Sequence, residues 1–220
     1  MKKNTLLLTL VAIFLFAACG NQAVKEDENG DKDSVEVVLT PTHTDLQNAI
    51  QRADLNAERF NAFAQKAKEE KLPEMLPFFQ AMAAAEKVYI SELSEAFKVM
   101  GGQMSWGKPE VEVKSTRENF ALMMKEKEQE RNELYPAFIE NAGKNGADEA
   151  SVALEMVLEA EKMIIPLYEA ADKALQSGNF SKLPLSYSVC PKCGLTYDSK
   201  LLPESCDLCG TSKEKFTAYK

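Results

Sequence analysis

The chain has 220 residues, 45% of them hydrophobic, with 34 acidic against 26 basic side chains and a net charge of −8. That balance makes nucleic acid and anionic membrane surfaces poor partners, while the apolar fraction is enough to bury a sizeable core. There is one histidine, and the sequence shows no Gly-rich phosphate loop, nucleophile elbow or Ser-His-Asp set, so the enzyme classes built on those motifs have no support.

The chain opens Met1-Lys2-Lys3, continues with an apolar run from Leu6 to Phe16 and closes with Ala17-Ala18-Cys19, the order of an export signal over residues 1–18. The run is too short and wrongly flanked for a spanning helix. Cys19 directly after Ala17-Ala18 resembles the lipobox of bacterial lipoproteins, whose cysteine is acylated and becomes the first mature residue. Phe16 departs from the leucine usual there, and the other reading is a plain secretory peptide cleaved nearby. The lipid reading places the protein in the bacterial cell envelope, periplasmic or surface-facing, and held to the membrane through Cys19. Residues 19–42 follow as an acidic tether, with Lys25-Glu26-Asp27-Glu28 and Asp31-Lys32-Asp33 and no apolar period before Val35. That acidic run also resembles the surface-export signal of some Bacteroidetes lipoproteins; otherwise it is a spacer.

Residues 43–178 are rich in Ala, Leu, Met, Glu and Lys and predict four helices. The first starts near Thr44, where Thr44 and Gln47 form a capping box, and runs to about Lys71. The second begins at Pro73 and stops at Gly101-Gly102. The third follows Ser115, paired with Glu118 in the same capping pattern, and ends at Gly143. The fourth runs from about Ala147 to Gly178, and Pro136 and Pro166 kink the last two. His43 falls ahead of the first helix, as an exposed loop residue.

Each helix carries an apolar stripe with spacings of three and four, as an antiparallel bundle of up-down-up-down order demands. The stripes run through Leu46, Ile50, Ala53, Ala57, Phe60, Ala64 and Ala67, and then through Leu76, Phe79, Ala83, Ile90, Leu93, Phe97 and Met100. In the third helix they pass through Phe120, Met123, Leu134 and Ala137, and in the fourth through Ala150, Leu154, Val157, Ile164, Tyr168, Ala171 and Leu175. Four charged side chains interrupt them: Glu86, Lys127, Glu130 and Glu161. All four fall near the middle of their helices and would meet at one level of the core. Isolated buried charge costs several kcal/mol per ion by order of magnitude, so these groups must be paired, metallated, protonated or wet, unless some rotate to the rim.

After a linker over residues 179–186, residues 187–220 are too few for a self-sufficient core. Cys190, Cys193, Cys206 and Cys209 stand as C-P-K-C-G, twelve intervening residues, then C-D-L-C-G, a spacing that presents four thiolates to one tetrahedral metal ion. With Cys19 lipidated, an even four remain, and in an oxidising compartment they must be metal-bound or paired in two disulfides; the Gly-followed knuckles favour metal. Iron would make the site an electron relay and zinc a structural staple. Tyr187, Tyr197, Phe216 and Tyr219 are expected to pack around the knuckles.

Together these residues resemble the rubrerythrins, which join a ferritin-like bundle holding a di-iron site to a rubredoxin-like iron site. The likeness covers about residues 44–219 and includes Phe63-Ala64-Gln65-Lys66-Ala67-Lys68-Glu69-Glu70, Glu133-Leu134-Tyr135-Pro136, Pro203-Glu204, Ser212-Lys213 and Phe216. It implies an all-α four-helix ferritin-like bundle with a small C-terminal rubredoxin-like metal-binding domain. One iron, or alternatively zinc, would sit on Cys190, Cys193, Cys206 and Cys209. By the same resemblance Glu86, Glu130 and Glu161 match di-iron ligands. Ala53 stands in place of the first-helix Glu, Tyr89 and Ile164 in place of both histidines, and Lys127 in place of another Glu. The di-iron site is therefore expected to be degenerate, with Lys127 as the cation among three acids and the family's peroxidase activity lost. Retained chemistry would need substitutes such as Tyr89, Asp54 or Glu58. The resemblance further implies a homodimer and an unidentified redox partner. The competing reading is a non-enzymatic scaffold or binding lipoprotein with a structural zinc.

Overall fold

A computed structural model describes residues 40–220; the export signal, Cys19 and nearly all of the tether lie outside the described residues. Six α-helices form four rods: α1 (Pro41–Glu69); α2 (Leu76–Val99); α3 (Thr116–Gln129), which runs through a π turn (Glu130–Leu134) into α4 (Tyr135–Lys144); and α5 (Asp148–Met163) followed by α6 (Ile165–Ser177). Among the described residues no helix is long and apolar enough to cross a membrane.

The first helix begins earlier than its Thr44 signal suggests, taking in Pro41 and Thr42. Thr40 is the residue ahead of it and Pro41 supplies a preset φ at the first helical position. His43 is therefore not an exposed loop residue but 5% exposed inside the first turn. Its Nδ1 accepts the Thr40 backbone N–H at 3.1 Å, which leaves Nε2 to donate to the Met100 carbonyl at 3.0 Å. The histidine thus ties the start of α1 to the end of α2.

Other end-to-end contacts set the direction of each rod. The Thr116 backbone N–H donates to Glu70, joining the start of α3 to the end of α1, and Arg117 donates to the Leu175 carbonyl near the end of α6. Asn145, just past α4, donates to Thr42 at the start of α1. The second and third rods are consequently parallel, and the order is up-down-down-up rather than the expected up-down-up-down. A long crossover makes this feasible, as in ferritin-like folds. The segment from Gly102 to Lys114 can reach about 40 Å when extended, close to the length of a 29-residue helix at about 1.5 Å per residue. Trp106 donates to Asp54 and Lys108 pairs with Glu58, pinning this strap along α1.

The stripes of α1 and of the α5–α6 rod are buried throughout, and the rod breaks at Ile164 just before Pro166. The third rod departs from its stripe: Ala137 is exposed and Tyr135, Phe138 and Ala142 are buried instead. The π turn explains the change, because the Tyr135 N–H bonds to the Glu130 carbonyl five residues back and the extra residue rotates everything beyond it by about 100°. Pro136, which lacks an N–H, follows immediately.

The tail is a three-stranded antiparallel sheet, ordered β2 (Thr196–Asp198), β1 (Tyr187–Val189), β3 (Thr217–Tyr219), with Ser188 opposite both Tyr197 and Ala218. Tyr197 and Phe216 pack edge to face at 5.8 Å. Tyr187 does not join them; it turns to the bundle and packs against Phe78 of α2 at 5.7 Å. Helix α2 is accordingly buried on two faces, one toward the bundle core and one under the tail.

Candidate functional site

Two hairpin knuckles bring the four cysteines together. In each, a glycine with positive φ, Gly194 at 74° and Gly210 at 71°, lets its N–H return to the carbonyl of the first cysteine of its pair, Cys190 or Cys206. All four sulfur atoms lie within 4.8 Å of one another, with Cys190 to Cys209 and Cys193 to Cys206 both at 3.5 Å. A tetrahedral cage with metal–sulfur bonds of about 2.3 Å has sulfur–sulfur edges of about 3.8 Å, so the group has the dimensions to close on one ion. Among the described residues this is the set of side chains whose ligand atoms cluster for a metal.

The thiols do not share one electrostatic environment. A hydrogen bond from Cys193 and backbone N–H groups of Cys193 and Lys192 outweigh burial and hold the Cys190 thiol down to about 4. The same hydrogen bond to Cys190, with burial, pushes the Cys193 thiol up against the opposing Leu195 N–H, and burial raises Cys206 against the N–H groups of Cys209 and Leu208. Three of the ligands are buried and Cys209 is half-buried, so the cage has one less covered corner.

Gly194 also lies directly on the bundle. A Cβ there would come within 2.4 Å of the Tyr89 ring and 3.0 Å of the Ala85 carbonyl, so only glycine permits this approach of the knuckle to α2. Lys192, between the first two ligands, pairs with Glu92 of α2 at 2.7 Å.

Inside the bundle, the middle of α2 and the C-terminal ends of α3 and α5, which are the middles of the third and fourth rods, converge on a second group. The Lys127 ammonium hydrogen-bonds to Glu86, lies 2.9 Å from Glu130 and 2.7 Å from Glu161, and is wholly buried, as are the three carboxylates within 2%. Helix midpoints share a level whichever way the rods run, so the unexpected rod order does not separate them. Asn56 of α1 donates to Glu130 at 3.1 Å, Arg52 lies 3.9 Å from Glu130, and Arg131 lies 3.7 Å from Glu161. These three partners escape sequence reasoning: Asn56 is one position off the α1 stripe, and Arg131 reads as a solvated neighbour of Glu130. The candidate substitutes are engaged elsewhere, Asp54 with Trp106 and Glu58 with Lys108.

Burial alone would lower the lysine's proton affinity, but the combined pull of Glu130, Glu161 and Glu86 outweighs it and holds the ammonium well above the usual lysine range. Burial raises Glu86 far above the ordinary carboxylate range; Lys127 opposes this and the other two acids reinforce it. Glu161 is raised too, by burial first. Arg52 and Arg131 add positive charge beside Glu130 and Glu161, whereas Glu86 has Lys127 alone, and its burial favours the protonated form. Tyr89 and Tyr168, buried alongside, have hydroxyls with no hydrogen-bond partner among the described residues, and burial followed by the nearby carboxylates keeps Tyr89 protonated.

A helical bundle with a four-thiolate module seated on its second helix defines a class of metal-binding redox proteins, and comparison with known proteins gives the family. A family model described as Rubrerythrin matches residues 46–163, and the chain belongs to the rubrerythrin family. Nigerythrin of Nitratidesulfovibrio vulgaris is 28% identical over 164 residues, covering 73% of this chain and 78% of its own length. A putative rubrerythrin of Methanocaldococcus jannaschii is 26% identical over 189 residues, covering 81% and 92% respectively. Among solved structures, nigerythrin in a mixed-valence state superposes with a TM-score of 0.69 at 27% identity, over 87% of this chain and 92% of that one. Nigerythrin in its fully reduced, all-ferrous state gives 0.68 at 25%, over 86% and 91%.

Two substitutions probe the buried cluster. Lys127→Met leaves Glu86 with no cation and Glu130 and Glu161 with only the longer contacts to Arg52 and Arg131, and is expected to cost about 3 to 5 kcal/mol in denaturant unfolding at neutral pH. Glu86 has a folded-state pKa above its unfolded one, so its contribution to stability is complete below about 4.5 and is lost as pH rises through the folded value. Glu86→Gln, neutral at every pH, should therefore reduce the decline of stability with rising pH by up to about 1.4 kcal/mol per pH unit. Identical pH profiles for the two proteins would show that Glu86 folds ionised.

Proposed function

We propose that this chain is an exported, lipid-anchored member of the rubrerythrin family that binds one iron through Cys190, Cys193, Cys206 and Cys209 and relays electrons, its bundle having given up metal binding. The observation that carries the reading is the position of Lys127. A di-iron centre needs the carboxylates of Glu86, Glu130 and Glu161 for its metal ions, and here all three turn to one ammonium. Ala53, Tyr89 and Ile164 add no carboxylate or imidazole at the other positions matched by resemblance, so the donor set does not fit a metal pair.

The tail does fit an ion. Holding iron, four thiolates support one-electron exchange between ferrous and ferric states with no open coordination position for substrate. The chain's own part is to supply N–H donors that stabilise negative charge on the sulfurs, to bury three of them, and to leave Cys209 as the corner nearest solvent, where an electron enters or leaves. The leader and Cys19 support export and anchoring, since an acylated N-terminus holds a protein whose net charge of −8 would not hold it to an anionic surface.

Metal content and colour test the redox reading. The full chain, isolated from its native host, should be red, bleach on reduction and carry one iron. The Cys190→Ser/Cys206→Ser variant should lose both the colour and the iron. Stoichiometric iron or manganese remaining in that variant would place metal in the bundle and defeat the reading. A colourless, zinc-loaded native protein would make it a scaffold instead. Anchoring has its own check: radiolabelled palmitate should be incorporated into the intact protein and not into Cys19→Ala, and equal labelling of the two would remove Cys19 as the anchor.

A further inference from the structure

The C-terminal half of α2 and the start of α5 leave a groove of about 430 Å³ open to solvent beside the knuckles. Val99 and Val152 line it and are 60% and 65% exposed. Glu92, Glu95, Asp148 and Glu149 surround them, and Lys192 from between Cys190 and Cys193 closes one end. A single exposed valine is ordinary. Two of them in a concave strip edged by charge have the anatomy of an interface, with an apolar centre and a polar rim.

The rim has one sign. Glu92 is neutralised by Lys192 at 2.7 Å, whereas Glu95, Asp148 and Glu149 make no ion pair among the described residues. The groove therefore presents an uncompensated negative edge on a chain that is itself acidic. It also adjoins the cage, because Lys192 in its lining stands between Cys190 and Cys193 and is held to Glu92 of α2. Electron transfer weakens steeply with distance, so a protein that exchanges electrons with the cage must seat close to it. A molecule in this groove rests against the knuckle that carries half the ligands.

We propose that this groove is the docking site of a small electron-carrier protein whose redox centre is ringed by lysine and arginine side chains. The proposal rests on the electron-relay reading above and names the kind of partner. A second copy of the chain suits the groove poorly, since pairing two such strips about a two-fold axis sets Glu95, Asp148 and Glu149 against their own equivalents. With iron held by the four cysteines, one electron would pass from the ferrous site to the oxidised centre of the carrier, with no bond made or broken.

The test uses the full-length, iron-loaded and reduced protein, with a basic c-type cytochrome as the probe carrier and hexacyanoferrate(III) as a small oxidant that needs no docking. Stopped-flow oxidation by the cytochrome should slow steeply as salt is added. The Glu95→Lys/Val152→Lys variant should be about tenfold slower or more toward the cytochrome, the scale of lost electrostatic steering, with an unchanged visible spectrum and undiminished oxidation by hexacyanoferrate. A cytochrome rate indifferent to both salt and substitution, with hexacyanoferrate still reactive, overturns the docking site and leaves the relay standing. Failure of both oxidants to take an electron sinks the relay reading and the partner with it. Sedimentation that shows a dimer dissociated by the same two substitutions assigns the groove to a second copy and overturns the proposal equally.

Discussion

One ammonium decides what the centre of this bundle is. Lys127 sits wholly buried within hydrogen-bonding reach of Glu86, Glu130 and Glu161, while Arg52 and Arg131 stand farther off beside Glu130 and Glu161. The arrangement is poor as a source of stability, since burying ions costs what their attraction returns and apolar replacements of similar volume are often neutral or better. Its effect is on geometry. The second, third and fourth rods must present their midpoints to a single nitrogen, and Asn56 and Arg52 of α1 complete the ring around Glu130. All four rods are held in mutual register by a point contact that hydrophobic stripes alone would leave free to slide.

The tail is fastened to the same helix that carries Glu86. Tyr187 against Phe78, Lys192 with Glu92, and Gly194 under the Tyr89 ring make three contacts of different chemistry along one face of α2. Tyr89 belongs to both neighbourhoods: one edge of its ring abuts the first knuckle, and its hydroxyl lies in the field of Glu161 and Glu86. The thiolate cage and the carboxylate group are thus adjoining parts of one packed body. A side chain too large at position 194, or too small at 89, would loosen both.

Much of this was legible in the residues because it obeys a simple period. The α1 and α5–α6 stripes, the Ser115–Glu118 cap and the break before Pro166 follow from spacing, capping and proline chemistry, and the knuckles follow from the cysteine spacing. What escaped has identifiable causes. The rod order is set by a crossover whose pinning contacts, Trp106 to Asp54 and Lys108 to Glu58, join residues about fifty apart with no local signature. The second buried face of α2 is invisible to a one-stripe reading, since Phe78, Ala85 and Tyr89 are covered by the tail. His43 was misplaced because Thr40-Pro41 starts the helix one turn before the capping pattern at Thr44.

The π turn over Glu130–Leu134 makes the third rod two helical segments of fixed relative phase. The residues up to its first position are angled to bring Lys127 and Glu130 inward, and those after it to bring Tyr135, Phe138 and Ala142 inward, and one surplus residue reconciles the two. Aligning this chain with a relative that lacks the surplus therefore requires a gap inside that pentapeptide. An ungapped comparison would match each inward position of α4 with a solvent-facing neighbour, and a real change of core would be mistaken for drift on the surface.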